Sequence, residues 1–160
     1  FLSEVLAELF PANPAAVLSG PAFAAELARG LPTAMLLASA APCPALAALQ
    51  HPTLGILESR DVAGCQVAGA VKNVIAIACG LAQGLCYGQN TAAALQTTGL
   101  AEMARLNAAK GGEAATLMSV AGIGDLLLTC GSSQSRNYRL GQALAGGQTL
   151  EAVLQSQKAV

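Results

Sequence analysis

The stretch Gly64-Cys65-Gln66-Val67-Ala68-Gly69-Ala70-Val71-Lys72-Asn73-Val74-Ile75-Ala76-Ile77-Ala78-Cys79-Gly80 carries a single formal charge, Lys72, and the nearest other charges are Asp61 and Glu102. An apolar run of this length predicts a helix buried on nearly all sides in a larger core. A cation in the middle of such a helix is costly unless it is paired or hydrogen-bonded. Two readings follow for Lys72. Desolvation makes an amine easier to deprotonate, which suits a lysine to proton transfer. Alternatively, its aliphatic stem lies along the helix and the ammonium snorkels to water.

Working outward, the composition narrows the class. The chain has 160 residues, is 54% hydrophobic and only 3% aromatic, and lacks Trp. That favours close-packed helices over a β-sandwich. The net charge is -1, without a basic run or aromatic-basic interleaving, so no nucleic-acid surface is expected. Cys43, Cys65, Cys79, Cys86 and Cys130 show no metal-ligand spacing and read as reduced thiols of a cytoplasmic protein; no metal site is expected. The N-terminal Phe1-Leu2-Ser3-Glu4 has no basic region and an early acid, so no signal peptide is expected. Val62 to Leu85 is long enough to span a bilayer, but Lys72 at its centre and the punctuating glycines argue against a membrane span.

Residues 1–60 and 61–160 differ in character. Ala16-Val17-Leu18, Thr33 to Ala38 and Leu54 to Ser59 read as strands, with helical stretches at Ala24 to Arg29 and Cys43 to Gln50. This alternation is α/β, the tail of a larger sheet. Beyond Asp61 no strand is expected. Helices are predicted around Lys72, from Asn90 or Thr91 to Lys110, from Glu113 to Val120, from Tyr138 to Ala145 and from Leu150 to Gln157. The fold class is therefore mainly α with a small α/β portion.

Three local arrangements can carry chemistry. Gly122-Ile123-Gly124-Asp125 places a carboxylate after flexible backbone, within reach of a ligand or a buried lysine, although Asp after Gly is also ordinary helix-cap chemistry. Ser135-Arg136-Asn137 sets a guanidinium between two neutral hydrogen-bonding side chains near a helix start, which suits an anionic phosphate. Its plainer reading is a capped helix with a solvated arginine. Ser19-Gly20-Pro21 ends a strand where open α/β sheets bind ligands, and is also plain turn chemistry. His51, beside Pro52, is given no role.

Taken in order, Ser19-Gly20-Pro21-Ala22-Phe23-Ala24-Ala25-Glu26, Gly30-Leu31-Pro32-Thr33-Ala34, Gly69-Ala70-Val71-Lys72-Asn73-Val74, Gly99-Leu100-Ala101-Glu102-Met103, Gly122-Ile123-Gly124-Asp125-Leu126 and Gln134-Ser135-Arg136-Asn137 closely resemble bacterial NAD(P)-dependent glycerol-3-phosphate dehydrogenases. The resemblance extends over essentially the whole chain. It implies the tail of a Rossmann-type dinucleotide domain in residues 1–60 and an all-helical, incomplete substrate domain in 61–160. It also implies NAD or NADP as cofactor, glycerol 3-phosphate and dihydroxyacetone phosphate as substrates, and a homodimer. By that resemblance Lys72 is the general acid/base, Gly20, Ala22, Asp125, Ser135, Arg136 and Asn137 meet the substrate, and Ala24 and Arg136 meet the cofactor.

The chain also departs from the family. It has no Gly-x-Gly-x-x-Gly element for the cofactor pyrophosphate, and it stops before the Val-Glu-Gly segment expected near Val160. Ala22 stands where Ser or Thr is usual, and Thr98 where Arg is usual. A truncated piece that does not turn over is the expectation, since hydride transfer needs a positioned cofactor. The competing expectation is a non-catalytic helical interaction or dimerisation module derived from a dehydrogenase.

Overall fold

The computed structural model of the chain describes residues 1–157. It is mainly helical with a small α/β portion. The strands β1 (Ala16–Ser19), β2 (Thr33–Ser39) and β3 (Leu54–Ser59) form one sheet in the order β1-β2-β3. β2 and β3 run parallel with Met35 opposite Ile56, and the short helix α3 (Ala45–Leu49) lies between them in sequence.

β1 pairs antiparallel with β2, Leu18 opposite Leu37. The α2 helix that joins them (Ala24–Ala28) has only five residues. The α3 helix between the parallel strands β2 and β3 is equally short, so helix length does not decide the direction of β1. Residues 2–9, to which the sequence reading assigned no element, form helix α1 (Leu2–Leu9). α1 buries no side chain of its own and is tied to Gln66 of the long helix that follows the sheet: the Ser3 backbone N–H donates to Gln66 Oε1 at 3.0 Å, and Gln66 Nε2 donates to Ser3 Oγ at 2.9 Å.

Helix α4 (Val62–Gly84) organises the rest, and the Lys72 stretch lies within it. It packs against α5 (Gly88–Ala109), α7 (Asp125–Gly131) and α8 (Arg136–Ala145). Val67, Ala68, Ile75, Ala76 and Cys79 of α4 share one core with Met103, Leu117, Leu126 and Cys130. A second cluster, Leu36, Ala38, Cys65 and Ala121, fastens the sheet to the first turns of α4. By length and composition α4 could cross a bilayer, but here its apolar residues supply this core. Helix α9 (Leu150–Gln157) completes the described chain.

Three helical boundaries differ from expectation, the first being α5, which starts at Gly88, ahead of the expected Asn90 or Thr91. The helix expected from Glu113 to Val120 is a single turn, α6 (Ala114–Leu117), followed by a π-helical turn at Val120–Gly124. Gly122 sits so close to Leu117 that a Cβ there would lie 2.1 Å from the Leu117 carbonyl oxygen, a close backbone approach within the turn that only glycine permits. α8 begins at Arg136 rather than Tyr138 because Ser135 caps it, accepting a hydrogen bond from the Tyr138 amide at 3.2 Å.

Candidate active site

A cleft of about 1000 Å³ opens between the α/β portion and the helices. Ala22, Phe23, Ala24 and Ala25 form one wall; Lys72, Asn73, Asp125, Thr129, Ser135, Arg136 and Asn137 face it from α4, α7 and α8. Of the residues singled out in the sequence, all but Gly20 line this cleft. Gly20 is buried at the end of β1 with φ +153°, and a Cβ there would meet Met35 Cα at 2.9 Å. Only glycine fits both the backbone conformation and that approach, so Gly20 shapes the turn that delivers Ala22 and Ala24 to the wall.

Lys72 does not snorkel away. Its ammonium donates to Asp125 Oδ2, with the lysine side chain 20% and the aspartate side chain 4% exposed. Asp125 is the first residue of α7, yet it makes no capping bond; its carboxylate turns to the lysine instead. One turn on, Thr129 Oγ1 donates to Asp125 Oδ1 at 3.2 Å. Both carboxylate oxygens are thus engaged, which fixes the plane of the group and the direction from which it holds the ammonium.

Arg136 and Asn137 form the first turn of α8, so the positive end of that helix dipole faces the cleft. Asn137 Nδ2 donates to Asn73 Oδ1 at 2.9 Å, and Asn73 Nδ2 donates to the Gly69 carbonyl at 3.0 Å. This chain sets the Asn137 amide relative to α4. Ser135 is buried, with its hydroxyl oxygen committed to the cap. Behind α7, a hydrogen bond with Cys79 and then burial push the Cys130 thiol well above its ordinary range, so it remains a neutral core group.

Asn73 and Thr129 were missed in the sequence. Both left a signal: Asn73 is a second polar residue in the apolar run beside Lys72, and Thr129 stands at helical spacing, four residues after Asp125.

Residues 61–160 match the NAD-dependent glycerol-3-phosphate dehydrogenase C-terminus, and residues 1–44 match the N-terminus of the same enzymes. The chain belongs to the NAD-dependent glycerol-3-phosphate dehydrogenase family. It is 51% identical over 164 aligned positions to a glycerol-3-phosphate dehydrogenase [NAD(P)+] of Parvibaculum lavamentivorans, covering 99% of this chain and 49% of that protein. Among solved structures, the glycerol-3-phosphate dehydrogenase of Coxiella burnetii superposes with a TM-score of 0.94 at 41% identity, over 99% of this chain and 50% of that one. The yeast glycerol-3-phosphate dehydrogenase matches with a TM-score of 0.85 at 27% identity, over 97% and 48%. The chain therefore spans about half the length of these dehydrogenases.

Proposed function

We propose that this chain contributes the substrate half-site of an sn-glycerol-3-phosphate dehydrogenase, which reduces dihydroxyacetone phosphate to glycerol 3-phosphate for phospholipid synthesis in the cytoplasm. Residues 1–60 would be the tail of a dinucleotide-binding domain and residues 61–160 the helical substrate-binding domain. The observation that carries the reading is the Lys72–Asp125 ion pair facing the same cleft as Arg136 and Asn137 at a helix start.

The chemistry follows from the geometry. A dianionic phosphate suits the Arg136 guanidinium, the Asn137 amide and the positive end of α8. With the phosphate so held, Lys72 can point its Nζ proton at the substrate carbonyl oxygen and deliver it as hydride reaches the carbon. In the reverse direction Lys72 removes the hydroxyl proton. Asp125, fixed by Thr129, keeps the ammonium in place and balances its charge in a partly buried site.

NADH or NADPH, when bound, supplies the hydride. Ala22, Phe23, Ala24 and Ala25 give the cleft an apolar wall that would receive a nicotinamide ring, and Arg136 lines the same cleft. The residues for the pyrophosphate are a different matter, because the sequence contains no Gly-rich strand-turn-helix. We therefore expect the 160-residue chain to bind substrate weakly and not to turn over. Val74, Leu81 and Leu85, exposed along one side of α4, support pairing with a second copy, which sedimentation would test.

Titration with glycerol 3-phosphate, followed by NMR, tests the reading. Binding should disappear in Arg136→Ala and persist, with altered pH dependence, in Lys72→Ala. Equal binding of glycerol and glycerol 3-phosphate, or an unaffected Arg136→Ala, would remove the phosphate assignment.

A further inference from the structure

The first residues of helix α2 belong to the Ala22–Ala25 wall, yet the helix buries no residue and makes no extended packing contact with another element. What reaches it from across the cleft is a side chain: Gln134 Nε2 donates to Glu26 Oε1 at 3.1 Å, joining residues 108 apart in sequence. Gln134 is itself firmly placed. Its backbone N–H donates to Ser132 Oγ at 3.1 Å, and its backbone carbonyl accepts from Arg139 Nη1 at 3.2 Å, the same nitrogen that holds the Ser133 carbonyl at 2.7 Å. It also immediately precedes Ser135 and Arg136.

We propose that Glu26 and Gln134 form a latch across the mouth of the cleft, a pair of positioning residues that sets the distance between the Ala22–Ala25 wall and the Lys72 and Arg136 side. Arg139 is its anchor on the helical side. The inference deepens the dehydrogenase reading and rests on it for its functional meaning, since hydride transfer tolerates little error in the separation of the two reactants. Its physical basis is independent of any ligand: an element without buried side chains is held by few interactions, so losing one cross-cleft bond changes its local opening measurably.

The test is amide hydrogen exchange of residues 22–31 in the 160-residue chain, with no ligand added. Glu26→Ala and Gln134→Ala should each raise exchange there about 2- to 3-fold, since the bond is solvent-exposed. The double variant should do no more than either single one, because both remove the same bond. Glu26→Gln retains a carbonyl acceptor and should keep the protection, which separates the hydrogen bond from the charge. Unchanged exchange in the alanine variants, or single effects that add in the double variant, would overturn the latch. Loss of glycerol 3-phosphate binding in Arg136→Ala reports separately on the substrate reading, so either idea can fail without the other.

Discussion

Lys72 and Asp125, 53 residues apart, form one ion pair between the middle of α4 and the first residue of α7. The two partners are not equally sheltered: the lysine side chain is 20% exposed and the aspartate 4%. Breaking the pair should therefore be asymmetric. Asp125→Asn leaves an ammonium that water can reach, at a cost of about 1–2 kcal/mol. Lys72→Met leaves a carboxylate with almost no water access and should cost about 3–4 kcal/mol. Urea unfolding of both variants at pH 7 gives the comparison, and equal losses would mean that Asp125 is better solvated than its burial implies.

The crossing of α4 and α8 is set by glycines. A Cβ on Gly80 would lie 2.0 Å from the Tyr138 carbonyl oxygen, and one on Gly141 would lie 2.1 Å from that of Ile77. Neither neighbour can rotate away, since both atoms are backbone. Gly80→Ala and Gly141→Ala should each cost about 2–3 kcal/mol by forcing the helices apart. The same shift would pull Arg136 and Asn137 away from Lys72 and Asn73. Gly131→Ala is the control: nothing lies within 4 Å of its Cβ position, and replacing a helical glycine there should be neutral or stabilise by up to about 1 kcal/mol. A calorimetric melt of the three proteins ranks them directly.

Much of this architecture is written locally. The apolar run around Lys72 announces a core helix, although it is not buried on nearly all sides, since Val74 and Leu81 stay exposed; the three strands stand between turn residues where they were expected. Asp125 could be read from sequence as reaching either a ligand or a buried lysine, and the structure takes it to Lys72. What stayed hidden depends on contacts between distant segments. The antiparallel course of β1 rests on its pairing with β2, which no local signal marks. The Asn73–Asn137 bond needs α4 and α8 to meet, which no window of sequence shows.

Asp61 is a buried carboxylate whose two oxygens serve two helices. Oδ1 accepts from the Gly64 amide at 2.8 Å, capping α4, and Oδ2 accepts from the Glu113 amide at 2.8 Å, at the start of α6. Asp61→Ala leaves both donors without their acceptor and should cost about 2–3 kcal/mol. Asp61→Asn keeps one carbonyl oxygen and so can satisfy only one of them, for about half that loss. Exchange at the Glu113 and Gly64 amides identifies which bond survives; if both stay protected in Asp61→Ala, the carboxylate is not what joins the helices.

Cys65 gives the fold an alkaline limit. Burial above all, then the nearby Asp61 carboxylate, push its thiol up to about 11 from 9.0, although Ser19 pulls the other way. The folded state thus keeps a proton that the unfolded chain has lost between these values. Over that interval the unfolded state binds fewer protons, so stability must fall as pH rises. The contribution is complete below pH 9.0 and gone by about pH 11, a loss on the order of 2 kcal/mol from this one site. The Cys130 thiol, also held above its ordinary range, adds in the same direction, while Cys79, lowered by its hydrogen bond with Cys130, opposes it. Cys65→Ala removes the titrating group and should flatten the stability profile between pH 9 and 11, measured by urea unfolding at half-unit steps. A profile as steep as that of the parent chain would place the alkaline sensitivity elsewhere in the core.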